Sequence, residues 1–214
     1  MALTSTLDRP NASRVAYAAA GINAAAALVM LLWLRPGVPP GEEQLSERIA
    51  YVADNVGVWR TGWFVWNLAA ISLVAFYVVL MLHWRGRAPI LCRAAVLLAG
   101  AGLAADVGAE SLLMIVSPGA DATTFALIEK IAFALTGYLG NGLYTLAGIA
   151  LTIAGARELP RGLLVLGGLA WTAGLALSAS TLAGWTDGQF ASTAALMPLF
   201  IAWAVLVGRW LRAS

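Results

Sequence analysis

Six apolar stretches divide this 214-residue chain, at about 15–34, 57–82, 91–116, 125–154, 162–184 and 191–211. Each reaches the roughly 20 residues that a helix needs to cross a hydrocarbon core about 30 Å thick. Within hydrocarbon the backbone has no water to bond to, so a stretch of this length satisfies its own N–H and C=O groups by coiling. Only 11% of the residues are charged and 61% are hydrophobic, whereas a soluble domain carries about 25% charge. The expectation is an all-α, polytopic membrane protein whose one domain, 1–214, is a six-transmembrane-helix bundle. The first stretch, Val15 to Leu34, exceeds a signal-peptide core of about 7–15 residues and reads as a retained helix.

The connections are punctuated. Pro36, Pro39 and Pro40 end the first stretch, since proline lacks the N–H that a helix interior uses. Segment 42–56 repeats Leu45, Ile49, Val52 and Val56 at helical spacing, with Glu42, Glu43, Glu47 and Asp54 mostly elsewhere. That pattern predicts an amphipathic surface helix lying across one end of the bundle.

Six spans put both termini on one side, and charge chooses the side. Arg9, Arg14, Arg85, Arg87, Arg93, Arg157, Arg161, Arg209 and Arg212 gather at the terminal side, nine of the thirteen cations. The positive-inside rule then places both termini in the cytoplasm, which in a bacterium means a multi-pass protein of the cell inner membrane. The basic excess is topological; no aromatic–basic pattern points to nucleic acid.

Depth follows from this orientation. Asp106 falls near the middle of the third stretch and Glu110 in its outer half. They are four residues apart, so they leave a helix within about 40° of each other. Each carboxylate at membrane depth costs about 2.5–3.5 kcal/mol on insertion scales. Two on one face point to a pocket, with one carboxyl kept protonated by apolar, like-charged surroundings. The structural alternative is a helix lock, with Glu110 paired to Arg60 and Asp106 bonded to Asn141 or Tyr138. Interhelical polar bonds stabilise by about 0.6 kcal/mol on average, which is small against the insertion cost.

In the second stretch Trp59, Trp63 and Trp66 share a side, and Arg60 and Asn67 share a face. They read as an interfacial belt, or as an aromatic wall with Arg60 as anion anchor or cation–π partner. Small-residue stripes at Gly100, Ala104 and Gly108, and at Gly137, Gly140, Gly142 and Gly148, suit close helix packing. With one cysteine, Cys92, and one histidine, His83, neither an internal disulfide nor a bis-histidine haem within the chain can form. No metal and no cofactor is expected. The only lysine, Lys130, sits near a helix end, not mid-span where a retinal Schiff base would be expected. No Walker loop, dinucleotide fingerprint, GxSxG elbow or HExxH occurs, and neither inverted repeats nor Gly/Pro-broken helices are recognisable.

Asn55-Val56-Gly57-Val58-Trp59-Arg60-Thr61-Gly62 opens the second stretch, Gly137-Tyr138-Leu139-Gly140-Asn141 centres the fourth, and Pro160-Arg161 precedes the fifth. In these the chain resembles a family of uncharacterised bacterial six-helix membrane proteins, the domain of unknown function 4386 family, over most of its 214 residues. The Asp106/Glu110 pair departs from that family's pattern. The resemblance implies a six-helix bacterial inner-membrane protein and carries no activity.

The leading functional expectation is binding of a small or lipid-like apolar or amphipathic molecule in an outer-facing, acid-lined intramembrane pocket, with coupling to proton movement as an option. Asp106 and Glu110 would form the charged floor, Arg60 the counter-ion, Trp63, Trp66 and Tyr138 the walls, with Asn67 and Asn141 as polar lining. The alternative is an isoprenoid cyclase- or isomerase-like enzyme with Asp106 or Glu110 as general acid. A structural or assembly subunit is the third reading. Membrane lipids are expected partners, and homo-oligomerisation stays open.

Overall fold

The computed structural model describes residues 9–38 and 45–213. Glu42, Glu43, Pro39 and Pro40 lie outside the described residues, as does the side chain of Arg9. The described chain is helical and contains no strand. Its helices are α1 (Arg9–Val29), α2 (Leu45–Asp54), α3 (Val56–Trp84), α4 (Pro89–Ser111), α5 (Ala122–Phe133), α6 (Asn141–Ala154), α7 (Arg161–Leu182) and α8 (Thr186–Ala213).

These helices build six membrane spans: Pro10–Gly37, Val56–Trp84, Pro89–Gly119, Ala122–Ala154, Arg161–Leu182 and Thr186–Ala213. The protein is a six-helix membrane bundle. The start of α1 and the end of α8 share one end, here the near end; α2 lies at the far end. Each span packs on its neighbours in sequence, α8 closes against α1, and α3 also meets α6 across the middle. The result is a closed ring. At its seam Gly208 admits close approach: a Cβ there would stand 3.1 Å from that of Ala16 and 3.0 Å from the Tyr17 ring.

Two clusters fill the ring. Phe76, Tyr77, Trp171, Phe200 and Trp203 are buried in the larger one. Trp203 meets Trp171 edge-on at 5.1 Å and Phe76 at 5.6 Å between centroids, the arrangement that ring quadrupoles favour. The smaller cluster, toward the far end, holds Leu34, Trp59, Trp63, Leu113 and Phe125. Large apolar residues such as Leu32, Ile90, Leu97, Ile115, Val165 and Leu182 face outward, where lipid covers them.

Three of the spans leave α geometry, two near their far ends and the fourth about its middle. π-Helical turns occupy Met30–Leu34, Leu112–Val116 and Ala134–Gly140. Such turns displace carbonyls from the regular ladder, and polar side chains accordingly donate to carbonyls within them. Tyr51 Oη donates to Trp33 O at 2.6 Å. Trp59 Nε1 donates to Leu113 O at 2.7 Å, and Ser117 Oγ to the same oxygen at 2.5 Å. Arg60 Nε donates to Met114 O at 3.0 Å, and Ser178 Oγ to Tyr138 O at 3.2 Å. By contrast α8 stays continuous through Pro198.

Candidate functional site

The buried residues of α4 are Cys92, Ala95, Ala99, Gly102, Asp106, Ala109 and Glu110, with Leu113 following. They recur at steps of three and four, so the two acids belong to the inward stripe of a helix that is otherwise lined by small residues. Small residues let backbones approach. A Cβ on Gly102 would stand 2.9 Å from the Tyr144 ring and 3.0 Å from Gly140 O. The third and fourth spans therefore touch almost backbone to backbone at this level.

Asp106 uses that closeness. A Cβ on Gly140 would stand 2.5 Å from Asp106 Oδ1, so the carboxyl lies in the space that the missing side chain leaves on the π turn. Its hydroxyl neighbours are Thr136 and Tyr144, although Tyr144 Oη and Asp106 Oδ1 each lack a partner in hydrogen-bonding geometry. One turn further, Glu110 has no exposed surface, against 5% for Asp106, and neither of its carboxyl oxygens has a hydrogen-bond partner among the described residues.

Among the described residues no cation pairs with either acid. Arg60, the expected counter-ion, is exposed and points its Nε at Met114 O. The physical reason is the π turn at Leu112–Val116, whose displaced carbonyls attract a guanidinium at the end of the span. Arg48 is taken by Glu129 at 2.6 Å, and Lys130 is exposed. Among the described residues no group of three histidine, cysteine or acidic side chains forms a metal site.

Tyr144 connects the acids to the middle of the ring. Its backbone oxygen accepts from Tyr77 Oη at 3.2 Å. Its side chain also borders a cleft of about 50 Å³ shared with Asn23, Tyr77, Asn141 and Thr145. That volume admits a few waters, since one needs about 10–15 Å³. It is far below the roughly 300–1,000 Å³ of a pocket for a drug-sized ligand.

The remaining expected site residues are spread out. Trp63 is buried and meets Trp59 edge-on at 5.6 Å. Trp66 and Asn67 are half-buried, and Asn67 Nδ2 approaches Met114 Sδ at 3.8 Å. Asn141 Nδ2 donates to Gly174 O at 2.7 Å and to Ser178 Oγ at 2.9 Å, which ties the fourth span to the fifth instead of to Asp106. Tyr138 is 44% exposed on the outside of the ring. Tyr144, which does reach the acids, was not singled out from the sequence; its spacing of four from Gly140 was the signal.

No protein-family model matches the chain, and no curated protein or solved structure matches it.

Proposed function

We infer that this protein binds a small or lipid-like apolar or amphipathic molecule from the outer leaflet side of a bacterial inner membrane, and that binding is coupled to a proton held by Asp106 and Glu110. One observation carries the reading: Glu110 is wholly buried at membrane depth, beside Asp106, with both oxygens unpartnered. Two ionised carboxylates in such a setting cost several kcal/mol with no cation to offset them, so the pair keeps at least one proton and can exchange it. With both termini cytoplasmic, the acids face the outer half. The central cleft is narrow, so in this reading the ring opens to admit a ligand, and the π turns are where the spans can rearrange.

The helix-lock reading loses its main support, because Arg60 caps Met114 O instead of pairing with Glu110. Kinship with the domain of unknown function 4386 family is proposed on the quoted motifs and adds no activity.

Infrared spectroscopy of the purified protein across a pH titration tests the proton. A protonated-carboxyl band should be present in the wild type and be lost or shifted in Glu110→Gln and Asp106→Asn. Native mass spectrometry on the same samples, after gentle lipid extraction, asks whether a bound molecule leaves with the acids. A spectrum without a protonated carboxyl at neutral pH would overturn the proposal.

A further inference from the structure

A cleft opens at the near end of the bundle, away from the acids. It measures about 430 Å³ and lies where the loop before α4 meets the end of α6. Arg87 and Arg157 line it together with the apolar Leu91, Ile153 and Ala154. Ile153 is 57% exposed on the lipid-facing surface, and Ile90, beside Leu91, is 81% exposed. The apolar lining thus continues onto the lipid-facing surface, while two arginines share the same cleft.

The charges around it are unbalanced. Arg85, Arg93, Arg161, Arg209 and Arg212 lie at the same end of the bundle, and Glu158 is the only acid there among the described residues. Glu158 is already engaged: Arg87 Nη1 forms an ion pair with it, and His83 Nε2 lies 3.7 Å from its other oxygen. Arg157 is exposed and has no ion pair or hydrogen bond among the described residues. Arg87 keeps two-thirds of its side chain exposed, at 67%, even when paired. Guanidinium groups bind phosphate with short, charge-assisted bonds, and basic pockets between membrane helices suit anionic headgroups.

We propose that this cleft is a binding site for one anionic phospholipid, with its headgroup phosphate between Arg157 and Arg87 and an acyl chain laid along Leu91 and Ile153. Charge complementarity and the open, apolar side wall select a lipid: a free phosphate would use the arginines and leave the groove empty. Glu158 is the opposing element. It holds Arg87 back and repels the phosphate, so it sets how tightly the headgroup is held.

The test is native mass spectrometry of the full-length protein taken from micelles that hold equal amounts of phosphatidylglycerol, phosphatidylethanolamine and phosphatidylcholine. The wild type should retain one phosphatidylglycerol in preference to the other two. Arg157→Gln should lower that retention by about fivefold, the effect of one basic residue at an anionic surface. Glu158→Gln should raise it, because it frees Arg87 and removes the repelling charge. Thermal melts of both variants should match the wild type, which separates lost binding from lost folding. Retention that does not discriminate among the three lipids, or that Arg157→Gln leaves unchanged, overturns the proposal. So does displacement of the lipid by millimolar glycerol phosphate, which would assign the arginines to a soluble phosphate. The acid pair of the third span plays no part in this site, so either proposal can fail alone.

Discussion

Arg48 of α2 and Glu129 of α5 meet at 2.6 Å, with 6% and 9% of their side chains exposed. This contact fastens the short far-end helix onto the bundle. Val52, one turn on from Arg48, is fully buried on the same side. Removing one partner of a buried pair leaves the other charge stranded, at a cost of about 3 kcal/mol or more. Arg48→Met should therefore lower thermal stability in detergent clearly, and adding Glu129→Leu should restore much of the loss. Equal stability of wild type and Arg48→Met would show that the pair is solvated.

Arg60 and Glu110 should behave independently. Arg60 caps a carbonyl and Glu110 has no hydrogen-bond partner. In a double-mutant cycle with Arg60→Gln and Glu110→Gln, the melting shifts should add to within about 0.5 kcal/mol. Glu110→Gln alone should leave stability unchanged or raise it, since it replaces a buried carboxyl whose oxygens have no partner among the described residues. A large destabilisation by Glu110→Gln that Arg60→Gln rescues would restore the helix lock.

Gly140→Ala should reproduce the loss of Asp106. The new methyl would overlap the carboxyl at Oδ1, and overpacking of this kind costs about 1–3 kcal/mol. The infrared band of the acid pair should shift in this variant as it does in Asp106→Asn. An unshifted band would mean that the carboxyl does not lie against the π turn.

Asp121 gives a pH dependence outside the membrane. It caps α5: Oδ1 accepts from Thr124 N at 2.9 Å, and these bonds hold its carboxyl below the usual carboxylate range. A group depressed in the folded state contributes stability above its unfolded pKa of about 3.9 and loses it as pH falls through the folded value. Asp121→Asn should remove that part of the acid limb of the stability profile. Superimposable limbs would show that the cap is too exposed to matter.

Orientation is open to a direct reporter. Alkaline phosphatase fused after Ser214 should be inactive if the cation-rich end is cytoplasmic, because the enzyme needs an oxidising compartment to form its disulfides. An active fusion would reverse inside and outside for the acid pair.

Apolar length made the six spans legible in the sequence, and the four-residue spacing placed Asp106 and Glu110 together on one face. What they face was not legible. A helical wheel assumes 3.6 residues per turn, and the π turn at Ala134–Gly140 breaks that phase in the middle of the fourth span. Tyr138 turns out toward lipid, while Tyr144 comes in to the acids. The role of Arg60 was hidden for the same reason, since its acceptor is a carbonyl inside another π turn. Arg48 was hidden differently: a cation on the inward stripe of an amphipathic helix reads as an interruption until Glu129 is found opposite.

The π turns also give the bundle an uneven stiffness. A π turn winds more residues into each turn than an α turn, so three of the six spans carry slack, two near their far ends and one about its middle. Membranes differ in thickness by a few Å, and a rigid helix meets the mismatch by tilting as a whole. Here a thicker bilayer can be met by drawing π turns into α turns. That slack lies on the span that carries Asp106 and Glu110 and on the one packed against it, whereas the spans of Trp171 and Trp203 hold no π turn among the described residues.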